Sequence, residues 1–238
     1  MNPRAPSPLR AFTLMELLIV VGLIAGLSFF LLRSLGTGSG NSLQSAQAQL
    51  SNLVTAARLK AAATGKRTRL LFHVDPNVNP DARYLRFVVL QQGSDHTANS
   101  TWTTIDYGFL PGNTFVVPAN LSNPEGLIPD RDAWRKISVP SDFLISDMLA
   151  HVNTLQLDID DRAQLWAGFV FTANGTLAPF VGSSSLKGNL AVTLGKARAP
   201  GSYEPGQSPI VLLDPEAVRG LALSTYGIPA LLNERTAF

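Results

Sequence analysis

The sequence predicts an α+β protein: an N-terminal transmembrane helix, continued by an amphipathic helix that packs on an antiparallel β-sheet. Three observations carry this reading. An apolar run fills Phe12–Leu32, apolar residues recur at three- and four-residue spacing from Leu43 to Ala61, and strand-like alternation with turn signals occupies most of the chain after Lys66. The chain has 238 residues, enough for one membrane segment and one globular domain of ordinary size.

The first element is the apolar run. Leu17–Leu32 holds no charged residue, and the 21 residues from Phe12 to Leu32, wound as a helix at about 1.5 Å per residue, span roughly the 30 Å hydrocarbon core of a bilayer. Arg4 and Arg10 precede it, which places the leader in the cytoplasm and everything after Arg33 across the membrane. An ordinary secretory signal shares the basic start and apolar middle. Two details oppose that reading. Phe29, Phe30, Leu31 and Leu32 stand where a small-x-small cleavage site belongs, and Glu16 puts a carboxylate in the apolar stretch. Such a charge costs about 2.5–3.5 kcal/mol at a helix centre and less near an end.

Ala11-Phe12-Thr13-Leu14-Met15-Glu16-Leu17 resembles the cleavage and methylation motif of type IV prepilins, with alanine where the family usually has glycine before the cut. The resemblance covers about 22 residues. It implies a pilin-like fold, cleavage between Ala11 and Phe12 by a prepilin peptidase, and N-methylation of the new Phe12 amine. It also implies an assembly role for Glu16, whose carboxylate meets the Phe12 amine of a neighbouring subunit in lipid. Two unit charges about 4 Å apart at an effective dielectric near 20 attract by roughly 4 kcal/mol, enough to set a register. The expected organisation is a leader at 1–11, a transmembrane and assembly helix at 12–33, a Gly-rich hinge at 34–41 and a periplasmic globular domain at 42–238. The expected partners are the peptidase, other pilins or pseudopilins, and inner-membrane lipid.

The second helix is expected to start at Asn41, with Gln44 completing a capping box, and to stop at Gly65. Its apolar face is Leu43, Ala46, Leu50, Leu53, Val54, Ala57 and Ala61. Strands are expected near 68–75, 84–92, 102–109, 153–159, 165–172, 176–181, 189–196 and 208–213, with Asn174-Gly175 as the clearest hairpin turn. Residues 110–150 read as a long loop with a short helix near 142–150, and Pro215–Ala222 as a helical turn. AARLKAAATGKRTRLLF, LPGNTFVVP and FVFTANGTLAP followed by LAVTLGKA resemble, in order and spacing, the H-type minor pseudopilins of type II secretion.

Composition narrows the chemistry. Cysteine is absent, which excludes disulfides, thiolate metal sites and cysteine nucleophiles. There are 19 basic and 17 acidic residues, and loss of the leader leaves 17 of each, so nucleic acid is not an expected partner. Lys66, Arg67 and Arg69 nevertheless cluster in sequence, and a pilin that binds DNA or acts as an adhesin is the alternative reading. Three further groups could carry chemistry. His73, His96 and His151 stand apart and read as structural. Ser184-Ser185-Leu186-Lys187 matches Ser-x-x-Lys but lies in a serine-rich connection rather than at a helix start. Asp158, Asp160 and Asp161 could contribute to a calcium site, yet Leu155, Leu157 and Ile159 point inward and leave Asp158 on a solvated face. No enzyme, metal or cofactor is expected.

Overall fold

In the computed structural model, residues 38–77, 83–120, 125–178 and 188–238 are described. Helix α1 spans Gly38–Thr64 and begins three residues ahead of the expected Asn41. Its buried apolar positions are Leu43, Ala46, Leu50, Val54, Ala57 and Ala61, all on the stripe that the spacing predicts, and Gln47 is buried beside them. The helix ends at Gly65, whose positive φ of 65° turns the chain while its N–H donates to the Ala61 carbonyl at 3.0 Å. A residue without a Cβ takes that left-handed conformation at little cost.

Two antiparallel sheets follow. The first has the order β3-β2-β1-β6-β5, from β1 (Thr68–His73), β2 (Phe87–Gly93), β3 (Trp102–Phe109), β5 (Ala150–Gln156) and β6 (Ala163–Phe171), with β7 (Leu177–Ala178) paired to β6. The second has the order β11-β10-β8-β4, from β4 (Thr114–Val116), β8 (Gly188–Ala197), β10 (Val218–Leu223) and β11 (Pro229–Leu232), with β9 (Ile210–Leu212) paired to β8. In the first sheet, Leu70 lies opposite Leu90 and Phe169, and Phe72 opposite Val88 and Ala167. These side chains share one face. The hairpin at Asn174-Gly175 is present: Gly175 has φ 76°, and Thr172 N–H donates to the Thr176 carbonyl at 2.8 Å.

The expected architecture is therefore corrected. The described residues are mostly β-strand in two antiparallel sheets with one α-helix, not a pilin-like arrangement of an N-terminal helix on one sheet. No helix among them is long and apolar enough to cross a membrane. The segment Phe12–Leu32, the leader and Glu16 lie outside the described residues, as does the first half of the expected hinge, 34–37, while its second half, 38–41, is helical rather than a hinge.

The second sheet escaped the sequence reading for local reasons. β4 is only three residues long, within a stretch rich in turn formers. Pro215–Ala222 opens like a helix, with Pro and Glu, yet Val218–Leu223 is a strand whose Gly220 sits where a Cβ would collide with the Leu190 carbonyl of β8. No helix forms over 142–150 either. The backbone there donates outward, Leu144 to Trp134, Ser146 to Val117 and Met148 to Asn189, so its hydrogen bonds are spent on neighbours rather than on a helical turn. The local 3₁₀ turn falls earlier, at Asp132–Trp134.

The main core lies where α1 meets both sheets. Leu50 and Val54 pack in one cluster with Leu70, Phe72, Phe169 and Phe171 of the first sheet and Leu190, Val192 and Leu221 of the second. Gln47 ties the helix to the second sheet, its amide N–H donating to the Gly220 and Leu232 carbonyls at 2.8 and 2.9 Å. Thr68 Oγ1 donates to the Ala57 carbonyl at 2.8 Å and fixes the turn from helix to β1. A second core, including Trp134, Phe115, Leu127 and Leu144, covers the far face of the second sheet. The third, Leu71, Phe87, Val89, Leu157 and Trp166, covers the outer face of the first.

Gly168 of β6 tests how tightly the first sheet is built. A Cβ there would run into the backbone carbonyl of Leu70, which cannot move without dragging β1. Gly168→Ala is expected to cost about 1–3 kcal/mol, the range for overpacking, read as a lower urea midpoint at unchanged slope. An unchanged midpoint would show that β1 and β6 are looser than this.

Candidate assembly surface

The outer side of α1 is unusual for a surface helix. From Gly38 to Ala57 the sequence carries no charged residue, and the exposed positions in that stretch include Gln44, Ser45, Ala48, Asn52 and Ala56. A solvated helix face ordinarily bears charged side chains opposite its apolar stripe. Here the exposed groups are short and neutral, so another surface can approach closely without stripping water from an ion.

A cleft flanks this face on each side. One, of about 510 Å³, lies toward the edge strand β3 and is lined by Ser45, Gln49, Asn52, Ala56 and Asp106. The other, of about 400 Å³, lies toward the second sheet and is lined by Gln44, Gln47, Ala48, Arg219, Leu231 and Asn233. Gln49 bridges α1 to the end of β3 by donating to the Phe109 carbonyl at 3.2 Å. The exposed groups of the face are neutral amides, hydroxyls and methyls, with Asp106 and Arg219 at its margins.

Of the residues singled out in the sequence, Ala11, Phe12 and Glu16 lie outside the described residues, as does Ser184–Lys187. The basic group does not form one patch. Lys66 is exposed, and Arg67 donates to the Thr97 carbonyl at 3.2 Å. Arg69 is 8% exposed: its Nε donates to Gln91 Oε1 at 2.8 Å and its guanidinium lies 4.3 Å from the Trp102 ring centre. Burial pushes the Arg69 pKa down to about 10, against the attraction of Asp158. No aromatic residue interleaves with this cluster in the sequence, yet the fold brings Trp102 onto Arg69 from two strands away. That ring covers the cation.

The acidic group is also dispersed. Asp158 is exposed, as expected, and also accepts hydrogen bonds from Thr104 N at 2.7 Å, from Thr104 Oγ1 and from Gln91 Nε2 at 3.4 Å. Burial opposes its ionisation, but the hydrogen bonds from Thr104 and Gln91 hold its carboxyl below the usual range. Asp160 pairs instead with Arg83. The two carboxylates bind different partners while Leu157 ahead of them is buried and Ile159 between them packs on the same cluster, so the connection from β5 to β6 folds back over the outer face of the first sheet.

His96 is exposed, and the side chain of His151 is not described. His73 is wholly buried on the outer face of the first sheet, its ring edge-on to Trp166 at 5.3 Å. Gln164 and Trp166 share that face and are also buried, and they form a polar group the sequence reading missed. Its trace in the sequence is the alternation of His73 and Asp75 on β1 and its extension with Gln164 and Trp166 on β6. Neither strand reveals the pairing alone.

Comparison of the chain with protein-family models, with curated proteins and with solved structures gives no match.

Proposed function

We propose that this chain is a membrane-anchored subunit of a type IV pilus or type II secretion pseudopilus, processed by a prepilin peptidase and N-methylated at Phe12. The observation that carries the proposal is the run Ala11-Phe12-Thr13-Leu14-Met15-Glu16-Leu17 at the head of an apolar stretch that reaches Leu32. A carboxylate in such a stretch is expensive in lipid unless a cation meets it. Cleavage at Ala11/Phe12 creates that cation, the Phe12 amine of a neighbouring subunit. The uncharged outer face of α1 supports the reading, since it offers a contact surface with little to desolvate.

The chain in this reading is an inner-membrane, single-pass protein with its folded domain in the periplasm. Its role is structural or initiating, without catalysis. A nucleic-acid-binding role draws no support from Lys66, Arg67 and Arg69, because Arg69 is committed to Gln91 and Trp102.

Mass spectrometry of the N-terminal peptide from membrane-extracted protein should find methylated Phe12. A start at Met1, or one beyond Leu32, would overturn the assignment.

Glu16→Leu separates anchoring from assembly. The substitution makes the segment more apolar, so membrane insertion should persist, and cleavage at the Ala11/Phe12 junction should largely continue. The variant should instead be lost from the sheared filament fraction or from co-purifying pseudopilins, because the neighbour's amine has no counter-ion. Wild-type incorporation of Glu16→Leu would remove the carboxylate from the mechanism.

A further inference from the structure

We propose that His73 is an acid-sensitive latch: its protonation releases the β5–β6 connection, residues 157–162, from the outer face of the first sheet and uncovers Leu71, Phe87, Val89 and Trp166. This does not depend on the function proposed above.

The latch is built from polar groups that the fold buries without satisfying. His73, Gln164 and Trp166 are 0%, 1% and 1% exposed. Among the described residues, both ring nitrogens of His73, both amide atoms of Gln164 and the indole N–H of Trp166 have no partner at hydrogen-bond geometry, the Gln164 side chain standing near His73 without closing a well-formed bond. Buried polar atoms are nearly always paired, and each that is not costs about 1–3 kcal/mol. Closure is therefore held by other contacts: Leu157 in the apolar cluster, the Arg83–Asp160 ion pair and the Asp158–Thr104 hydrogen bonds. The backbone beside the latch is also strained. Leu85, whose N–H donates to the His73 carbonyl at 2.9 Å, has φ 56°, a conformation that favours glycine.

The charged groups facing His73 determine the direction of the switch. Asp75 on the extension of β1, the neighbouring Gln164 side chain and Asp160 on the β5–β6 connection favour the imidazolium, while Arg83 opposes it. Tyr84, in the same segment, is buried and neutral. Asp75 is itself engaged, accepting from Leu165 N at 3.2 Å and Asn77 N at 3.0 Å. Burial outweighs the attraction of both carboxylates and pushes the His73 pKa down to about 4.

In the released state the imidazole is solvated and returns to its ordinary value near 6.5. The open form then binds the proton more tightly, so closure is complete above pH 6.5 and weakens as pH falls toward 4. At pH 5 protonation favours opening about thirtyfold. The uncovered face would extend the exposed surface of Tyr107 and Phe109 on the adjoining edge strand.

The test is amide hydrogen exchange of the full chain in detergent micelles, corrected for intrinsic rates, at pH 7 and pH 5. Amides of 157–165 should exchange about thirtyfold faster at pH 5, while those of α1 stay protected, and His73→Phe should abolish the difference. Equal protection at both pH values, the same pH dependence in His73→Phe, or simultaneous opening of α1 would each overturn the latch. Because His73→Phe could fail to fold, C2–H exchange of the histidines in the wild-type chain supplies a second readout. His73 should titrate well below the ordinary imidazole value near 6.5, and titration at that ordinary value would equally overturn the proposal.

Discussion

The fold depends on one act of burial, that of the apolar stripe of α1 between two sheets. Leu50 and Val54 are wholly inaccessible because Phe72 and Phe169 approach from one sheet while Leu190 and Leu221 approach from the other. A single sheet could cover only part of a stripe that is over 100° wide. With both sheets in place, the helix joins two sheets whose strands share no ladder. Gln47 reinforces the joint where a purely apolar residue would leave the Gly220 and Leu232 carbonyls unpaired.

Sandwiching the helix has consequences elsewhere. Each sheet turns one face to α1 and must cover the other by different means. The second sheet uses the long segment containing Trp134 and Leu144, whose backbone bonds to Val117 and Asn189 rather than forming a helix. The first sheet uses the β5–β6 connection, which is short and held by Leu157, Asp158 and Asp160. That cover leaves His73, Gln164 and Trp166 with unpaired polar atoms beneath it.

The same geometry explains where the charges went. Arg69 looks like a surface residue in a linear reading, because charged groups in strands normally face water. Folding buries it on the outer face of the first sheet beside Gln91 and Trp102, while Asp158 stays exposed, as expected, and still finds partners in Thr104 and Gln91. The neutral stretch Gly38–Ala57 has the opposite history. Nothing polar is needed to hold its outer side, so that side is left as an uncharged surface between two clefts.

The sequence by itself determined whatever depends on neighbours along the chain. The three- and four-residue spacing placed every buried position of α1 but Gln47, Gly65 marked its end, and Asn174-Gly175 marked the hairpin, because helix period, C-cap and turn are local geometry. The expected strands in the described residues were legible for the same reason, and the motif around Phe12 is a linear signal that needs no fold. Only the tertiary structure decided that there are two sheets. β4 is too short to show alternation, and the pattern of Val218–Leu223 suits a helical turn until β8 supplies its backbone partners. It also decided that Trp102 covers Arg69 across β2, and that His73 meets Trp166 and Gln164, an encounter set by strand register between segments some 90 residues apart.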